Sequence, residues 1–490
     1  MTRAPQHTAI SPGSVGVSRV WLAMLGLSGV VALCMGLGTL HQGQQADSLL
    51  LGLISTQLWT PFYWGQDRYG MLLPLLAAPV ADPVANLVLQ GWMMSTAALL
   101  SPFLVARFLC GRAGPWLAAG LLANALLLVF MARELQFEWF VPQPYALAIA
   151  LGFTSLVVIE EARGWAARVT ALLLMLLAFW VNVSVVIAIG PALLLRGRWT
   201  TRTLVVSALG MAGGVAAGLL AATPHATPTG LIKIREWPGA WLALLAAGWQ
   251  ATAHAWLLAP VLVASAAAAL ALRKRADLRP IRLAAAAAVG TAVANWLVVG
   301  AIKWVSLNGF FPRYLLPSFL MLAVAAALAL VGFAPRSPRP LALGGSLVLV
   351  SLALLLYGAP SLSRVERDLD QRFGRMTPEI LSSHATLVAG DYWAVWPAVF
   401  HANLALHRQQ RAERVYGLSY RYWVTEGFWR GRPDPILVAT APGDETAVEL
   451  AAAVDRQLDL VDHRSAIDLF TATPRPRASS PPTQAAEAPR

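Results

Sequence analysis

Residues 41–83 read HQGQQADSLLLGLISTQLWTPFYWGQDRYGMLLPLLAAPVADP and connect two hydrophobic segments. This stretch contains three carboxylates, an arginine and several aromatic residues, among them Asp47, Asp67, Arg68, Tyr63 and Trp64. Each flanking segment is apolar over about the 20 residues that a helix needs to cross a membrane. The sequence therefore predicts a polar loop beside a membrane surface, an arrangement that favours chemistry on a lipid-linked substrate.

Composition places the whole chain among membrane proteins. Of its 490 residues, 57% are hydrophobic and 13% are charged, which is far more apolar than an average soluble domain. The formal net charge is +12, but the arginines lie in short loops between apolar segments and in the tail. That distribution reflects membrane orientation, so we predict no binding to nucleic acid. Cys34 and Cys110 have no CxxC or Cys/His spacing, and neither a disulfide framework nor a zinc site is predicted.

Hydropathy predicts a polytopic α-helical membrane protein of about eleven spans, forming a transmembrane domain at residues 19–360 with 41–83 as its first external loop. The predicted spans are 20–40, 84–106, 115–132, 143–159, 168–181, 183–195, 203–222, 252–272, 283–302, 314–332 and 341–359. Asn182 divides 168–195 into two pieces of about 14 residues, each shorter than the roughly 20 needed to cross. That region fits two short helices or a re-entrant hairpin.

The distribution of basic residues predicts the orientation of the spans. With the N-terminus inside, the loops on the cytoplasmic side carry sixteen arginines and lysines, and the loops on the opposite side carry six. The positive-inside rule therefore predicts a cytoplasmic N-terminus in a bacterial inner membrane. Residues 1–18 are rich in Pro, Ser, Gly and Thr and are predicted to be a disordered leader.

The last part of the chain has a different character. Residues 361–472 are more charged and alternate helical and strand patterns, with helices at 362–384, at 392–407 and near Asp444, and strands at 385–389, at 436–440 and near Leu458 and Ile467. This alternation predicts a small α/β domain. Because an odd number of spans precedes it, the domain is predicted to be periplasmic or otherwise external. Residues 473–490 are predicted to be a disordered tail.

Asp47 is the first carboxylate after the first predicted span. It opens a segment in which Leu50, Leu53, Ile54 and Leu58 recur at helical spacing, which predicts an amphipathic helix lying on the membrane. Position alone favours Asp47 as the cap of that helix, but a capping carboxylate can also be catalytic.

The remaining residues of the loop have structural alternatives as well. Asp67 and Arg68 can form a surface ion pair, which stabilises little. Tyr63 and Trp64 can belong to the aromatic belt that is common where membrane helices meet water.

Two later regions add polar candidates on the same predicted side. Glu134 and Glu138 are spaced i, i+4, a pattern that also occurs at solvated helix ends. Arg313 and Tyr314 lie at the external end of a late span, where an arginine can instead extend towards lipid headgroups.

Three motifs resemble a known superfamily. An acidic residue soon after the first span is followed by YWGQDRYGMLLPLLA, NGFFPRYLLP stands at the outer end of a late span, and VAGDYWAVWP occurs in the C-terminal domain. In these features the chain resembles bacterial members of the GT-C glycosyltransferase superfamily. These are multi-span enzymes that take a sugar from a polyprenyl-phosphate donor on the external or lumenal face, using a first-loop carboxylate as base.

The resemblance implies roles for the candidates. Asp47 is the implied catalytic base, with Asp67 as a second acidic candidate, because many members carry an Asp-Glu pair where Asp47 is followed by Ser48. The predicted substrate-binding residues are Arg68, Tyr63, Trp64, Glu134, Glu138, Arg313 and Tyr314, of which the resemblance makes Arg313 and Tyr314 candidates for binding the donor phosphate. The implied partners are a polyprenyl-phosphate-linked sugar, membrane lipid and an acceptor glycan, lipid or protein. No metal ligand is assigned, and a divalent metal is left open as the only cofactor.

The chemistry of glycosyl transfer fits these residue types. A carboxylate can take the proton of the acceptor hydroxyl, and an arginine can bind the leaving phosphate. Two other functions remain open. A transporter or flippase should show broken helices or charged residues at mid-membrane, and the Asn182 break is the only such sign in the sequence. A non-catalytic scaffold should use the C-terminal domain to bind a partner.

Overall fold

The computed structural model describes residues 13–64, 69–111, 115–140, 145–162, 164–197, 200–221, 230–332, 338–420, 424–429 and 434–475. The contacts within the chain divide it into two compact units. The first unit comprises Met1–Gly43, Trp59–Pro79 and Asn86–Val365, and the second comprises Gln44–Leu58, Val80–Ala85 and Glu366–Arg490. The second unit therefore includes the part of the first loop that carries Asp47.

Most of the described residues are helical. In chain order the helices are α1 Gly13–Gln42, α2 Ala46–Thr56, α3 Leu72–Ala77, α4 Pro83–Cys110, α5 Trp116–Phe130, α6 Arg133–Phe140, α7 Tyr145–Glu161, α8 Trp165–Val181, α9 Val186–Arg196, α10 Thr201–Ala221, α11 Trp237–Gln250, α12 Ala255–Leu272, α13 Arg279–Ala301, α14 Lys303–Leu307, α15 Leu316–Val331, α16 Pro338–Tyr357, α17 Leu362–Phe373, α18 Thr377–Ser382, α19 Tyr392–Arg408 and α20 Glu445–Ala453. The strands are β1 Leu387–Ala389, β2 Tyr416–Leu418, β3 Ile436–Thr440, β4 Arg456–His463 and β5 Asp468–Pro474.

Several helices are long and apolar enough to cross a membrane, which is compatible with a membrane protein. Among the described residues, five stretches meet this description: Arg19–Leu40, Pro83–Cys110, Ala276–Ala301, Pro312–Val331 and Ala342–Ser382. A sixth is added if α6 and α7, which are bent by 56° relative to each other, form one span. The prediction of about eleven spans is therefore not supported.

The difference between the predicted and the observed number of membrane-length helices has a physical cause. The predicted spans lie on helices, but several of these helices, such as α5 and α8, contain only 15 and 17 residues. Hydropathy counts apolar residues, whereas crossing the hydrocarbon core requires about 20 residues in an unbroken helix.

The predicted division at Asn182 is confirmed. Helix α8 ends at Val181, and a 3-10 helix, Val183–Val185, connects it to α9. The Asn182 side-chain oxygen accepts hydrogen bonds from the backbone N–H of Ser184 at 3.0 Å and from the Ser184 hydroxyl at 2.6 Å. An asparagine that caps the following turn in this way ends one helix and starts the next.

The aromatic part of the first loop is bound to this break. Tyr69 forms an isolated antiparallel bridge with Asn182, and the Gly70 N–H donates to the carbonyl oxygen of Trp180 at 3.0 Å. A Cβ at Gly70 would lie 2.5 Å from that oxygen, so only glycine permits this approach. The loop therefore satisfies backbone groups that the end of α8 exposes.

The second unit contains a five-stranded mixed sheet in the order β2-β1-β3-β5-β4. Strand β1 pairs in parallel with β2 and β3, while β5 is antiparallel to β3 and β4. The small C-terminal sheet follows the prediction, with one strand missed, β2, and the single helix predicted at 362–384 is divided into α17 and α18 by a 3-10 turn, Gly374–Met376. Strand β2 has only three residues, Tyr416–Leu418, and the sequence gives no alternating pattern long enough to reveal it.

Helix α2 packs against α19 within the second unit. A Cβ on Gly52 would lie 2.9 Å from Cε2 of Phe400, which shows how closely the helices approach. The Gln57 amide donates to the carbonyl oxygen of Val415 at 2.9 Å, and Arg414 donates to the carbonyl oxygen of Thr56. The prediction of an amphipathic surface helix is wrong in one respect, because residues 48–55 are all buried.

Candidate functional site

Asp47 lies in the first turn of α2 but does not cap it. The N-cap is Gln45, whose backbone N–H donates to the Ser48 hydroxyl at 3.2 Å. The predicted capping role of Asp47 is therefore wrong, because the chain satisfies this helix end through Gln45 and Ser48. A carboxylate in the first turn is still favoured by the partial positive charge at a helix N-terminus.

Tyr392 contacts Asp47 directly. The Tyr392 hydroxyl donates a hydrogen bond to Oδ1 of Asp47 at 2.5 Å, and both side chains are half-buried. Bonds between a hydroxyl and an ionised carboxylate are short, about 2.5–2.7 Å, and roughly twice as strong as bonds between neutral groups. This contact holds the carboxylate in one orientation.

The position of Tyr392 follows from local structure. Asp391 is the N-cap of α19, and its side chain accepts from the Trp393 N–H at 2.8 Å. The Tyr392 ring lies edge-on to Trp393 at 5.1 Å between ring centroids and edge-on to Trp396 at 6.4 Å. The helix start and its two aromatic neighbours fix the ring that carries the hydroxyl.

Sequence reasoning missed this role of Tyr392. Tyr392 lies in VAGDYWAVWP, one of the three motifs that resemble the GT-C superfamily. Asp47 and Tyr392 are 345 residues apart in the chain, however, and only the packing of α2 on α19 brings them together.

A second polar cluster lies in the first unit and contains three of the predicted substrate-binding residues. Glu138, on α6, is 5% exposed, and its carboxylate lies 3.8 Å from Nη1 of Arg313. Arg313 and Tyr314 belong to the 3-10 helix Pro312–Leu315. The guanidinium of Arg313 is 5.3 Å from the ring centroids of both Phe311 and Tyr314.

Aromatic hydroxyls complete this cluster. Tyr314 and Tyr145 are buried, and Tyr145 lies beside Tyr69, Tyr314 and Arg313. Within the described part of the chain, the Nε atom of Arg313 is buried without a hydrogen-bond partner. The guanidinium therefore retains unused capacity to donate a hydrogen bond to an anionic group.

The other predicted residues have different environments. Glu134 is exposed on the first turn of α6, as expected of a solvated helix end. Tyr63 and Trp64 are buried, and the Tyr63 N–H donates to the carbonyl oxygen of Tyr69 at 2.8 Å. Their burial contradicts the interfacial-belt alternative, since belt residues face the headgroups. Asp67 and Arg68 lie outside the described residues.

An apolar cleft of about 730 Å³ lies in the same unit as the Arg313 cluster. It is lined by residues of α5, α11, α12, α13 and α15, including Leu127, Leu245, Trp296 and Phe319. Leu315 also lines the cleft, and it belongs to the 3-10 helix that carries Arg313. A cationic side chain and an apolar cleft therefore share one structural element.

The divalent metal that the sequence leaves open stays a prediction. Among the described side chains, no group of three or more His, Cys, Asp or Glu residues is placed to hold a metal ion.

Comparison with known proteins does not further constrain the function of this chain. No protein-family model matches the chain, and no curated protein matches it. The function is therefore inferred from the two clusters and the apolar cleft.

Proposed function

We propose that this protein is a membrane glycosyltransferase of GT-C type, which moves a sugar from a polyprenyl-phosphate donor to an acceptor hydroxyl on the external face of a bacterial inner membrane. The observation that carries the proposal is the 3-10 helix Pro312–Leu315, which presents Arg313 and also lines the apolar cleft. A ligand with an anionic head and a long hydrocarbon tail matches that combination.

Arg313 is suited to the leaving phosphate. Its contact with Glu138, at 3.8 Å, is longer than the 2.7–2.9 Å typical of a charge-assisted hydrogen bond. A phosphate oxygen can therefore offer the guanidinium a better acceptor than Glu138 does. Fixed positive charge at the departing oxygen stabilises the transition state, in which negative charge develops there.

Asp47 is suited to the acceptor. In the proposed step its carboxylate takes the proton of the acceptor hydroxyl, and the hydroxyl oxygen bonds to the anomeric carbon of the donor sugar. The bond from that carbon to the phosphate oxygen breaks, and its electron pair leaves with the polyprenyl phosphate. The hydrogen bond from Tyr392 keeps the carboxylate oriented for this proton transfer.

The break at Asn182 supports a transporter less well than the sequence implied. In transporters, broken helices leave backbone groups that bind the substrate. Here the carbonyl oxygens of Trp180 and Val181 accept from the Gly70 N–H, and the Asn182 side chain caps the next turn. The chain itself occupies the break.

Donor binding tests the proposal. The full-length protein in lipid nanodiscs is titrated with undecaprenyl phosphate, and Arg313→Lys is expected to weaken binding by about tenfold or more, because a point charge cannot reproduce the bidentate fork of arginine. Arg235→Lys, at an exposed arginine outside the cluster, is the matched control and should bind normally.

Two results would count against the proposal. One is the absence of saturable binding of undecaprenyl phosphate by the wild type. The other is wild-type affinity in Arg313→Lys, which would return Arg313 to a structural pairing with Glu138.

A further inference from the structure

Two aromatic side chains are exposed at one edge of the sheet in the second unit. Trp393 and Tyr420 are each 57% exposed, whereas Trp396 and Trp429 of the same unit are 3% and 1% exposed. Tyr420 follows β2, and Trp393 follows β1, the strand that pairs with β2 in parallel. Both rings therefore lie beyond the carboxyl ends of neighbouring parallel strands, where ligands of α/β sheets usually bind.

The topology also places a switch point of the sheet at this edge. From β1 the chain runs through α19 to β2 on one side, and from β3 it runs through α20 towards β4 on the other side. Connections that leave adjacent strands in opposite directions open a crevice at their carboxyl ends. Gly390 and Asp391 directly follow β1 at this point, and Tyr392 and Trp393 come next in the chain.

The Trp393 ring is exposed but held in place. It packs edge-on against Tyr392, with 5.1 Å between centroids and an interplanar angle of 82°. Its backbone N–H is bound by the Asp391 side chain at 2.8 Å. An indole that is fixed along one edge presents its face to a ligand at little cost in conformational entropy.

The polar groups beside this ring suit a sugar. The Tyr392 hydroxyl and the Asp47 carboxylate are 2.5 Å apart, and the Tyr392 ring contacts the Trp393 ring. Aromatic faces carry partial negative charge and attract the C–H groups on the flat side of a pyranose. A carboxylate accepts strong hydrogen bonds from sugar hydroxyls. A hydrocarbon tail would gain nothing from the carboxylate, and an anionic ligand would be repelled by it.

We infer that Trp393, Tyr392 and Asp47 form a saccharide-binding site in which a pyranose ring stacks on Trp393 and one of its hydroxyls donates to Asp47. Tyr392 acts as a positioning residue for that carboxylate. The assignment of this saccharide as the acceptor of glycosyl transfer rests on the proposed function, whereas saccharide binding itself does not. Under the proposed function, the acceptor is therefore a glycan.

Saturation-transfer NMR measures the binding directly. The full-length protein in lipid nanodiscs is mixed with the methyl glycosides of glucose, galactose, mannose and N-acetylglucosamine, one at a time. At least one glycoside should receive saturation from the protein. We expect Trp393→Ala to reduce that signal at least fivefold, and Trp393→Phe, which keeps an aromatic face, to recover part of it.

A matched control tests whether the loss of any exposed tryptophan would reduce the saturation signal in the same way. Trp165 is 77% exposed at the start of α8, in the other unit, and Trp165→Ala should leave the saturation signal unchanged. Folding of each variant is checked by its thermal unfolding curve, and little change is expected because Trp393 is largely exposed. Tyr392→Phe retains the ring and should weaken the signal by less than Trp393→Ala does.

Three outcomes would overturn the inference. The first is no saturation of any of the four glycosides, and the second is a signal that survives Trp393→Ala. The third is a quenching of tryptophan fluorescence by brominated lipid that is lost in Trp393→Ala, which would place the ring at the membrane interface. Failure of the proposed function looks different. In that case glycosides would bind through Trp393, but the protein would not bind undecaprenyl phosphate through Arg313.

Discussion

Replacing Gly52 by alanine tests whether close packing of α2 on α19 holds Asp47 in place. A Cβ at this position would lie 2.9 Å from Cε2 of Phe400. Carbon atoms in contact normally lie about 3.5–4.0 Å apart, so one partner must move by roughly 0.6–1.1 Å. Because the Phe400 ring is itself 1% exposed and tightly packed, we expect α2 to move.

The expected cost can be estimated from this overlap. Overpacking a tight contact costs about 1–3 kcal/mol, while alanine in a helix gains about 0.5–1 kcal/mol over glycine. The difference between these ranges is about 0–2.5 kcal/mol, and a net loss of about 1–2 kcal/mol within it should make the amides of residues 44–58 exchange with solvent roughly 5–30 times faster. Movement of α2 by that distance would also lengthen the 2.5 Å contact between Tyr392 and Asp47.

Hydrogen–deuterium exchange of the full-length protein in nanodiscs, read by mass spectrometry, measures this change. Gly344→Ala on α16 is the control, because a Cβ there would meet nothing within 4 Å. This variant should not increase the exchange of residues 44–58. Adding Phe400→Leu to Gly52→Ala should slow the exchange of residues 44–58 again, since a smaller side chain gives the new methyl group room. Unchanged exchange in Gly52→Ala would refute the packing argument, and so would a faster exchange that Phe400→Leu does not reverse.

Glu138→Gln leaves Arg313 without its buried carboxylate partner and is expected to lower the thermal unfolding temperature. Undecaprenyl phosphate should restore part of that decrease, and no restoration would argue against phosphate binding at Arg313. Burial lowers the pKa of His401 despite its 2.9 Å hydrogen bond with Asp370, so the neutral ring is favoured in the folded state. The stability that His401 contributes is thus present above the ordinary histidine pKa of about 6.5 and is lost as the pH falls through the lowered value. Between about pH 6.5 and 5, the free energy of unfolding measured with denaturant should therefore fall less for His401→Asn than for the wild type. Reporter fusions at Asp277 and Arg477 should report cytoplasmic and external positions respectively, and a cytoplasmic signal from Arg477 would invert the predicted orientation.

The elements that depend on local sequence could be predicted. Asn182 marks the end of α8 because an asparagine between apolar runs readily caps a new turn, and the structure has its helix break there. The boundaries of α19 and β3 also follow the pattern closely, since Asp391 supplies an N-cap and Ile436–Thr440 is a compact apolar run. In both cases a few neighbouring residues are enough to determine the structure.

Features that depend on distant residues could not be predicted. Asp47 looked like a helix cap because of its residue type, but Gln45 and Ser48 satisfy the helix end and Tyr392 binds the carboxylate. The second strand of the sheet, β2, is stabilised by pairing with β1 and has little pattern of its own. Hydropathy overestimated the number of spans because it does not register where a helix ends.

The pairing of Glu138 with Arg313 lies between these cases. Glu138 is a candidate from its spacing with Glu134 and Arg313 from the motif NGFFPRYLLP, 175 positions away, but nothing in the sequence indicates that they meet. The i, i+4 spacing of Glu134 and Glu138 implied similar surroundings, yet Glu134 is exposed and Glu138 is buried. Burial is set by the elements packed around α6, and spacing along one helix does not encode it.

Whether Asp47 is the catalytic base is measured by sugar transfer in the Asp47→Asn variant. Asparagine keeps the size of the side chain and can still accept the hydrogen bond from Tyr392, so the fold should survive while proton abstraction is lost. In vesicles supplied with labelled polyprenyl-phosphate sugars and a glycan acceptor, we expect transfer to fall by about 10²- to 10⁴-fold, as is typical when a positioned base is removed. A folded Asp47→Asn protein that transfers sugar at nearly the wild-type rate would contradict the account.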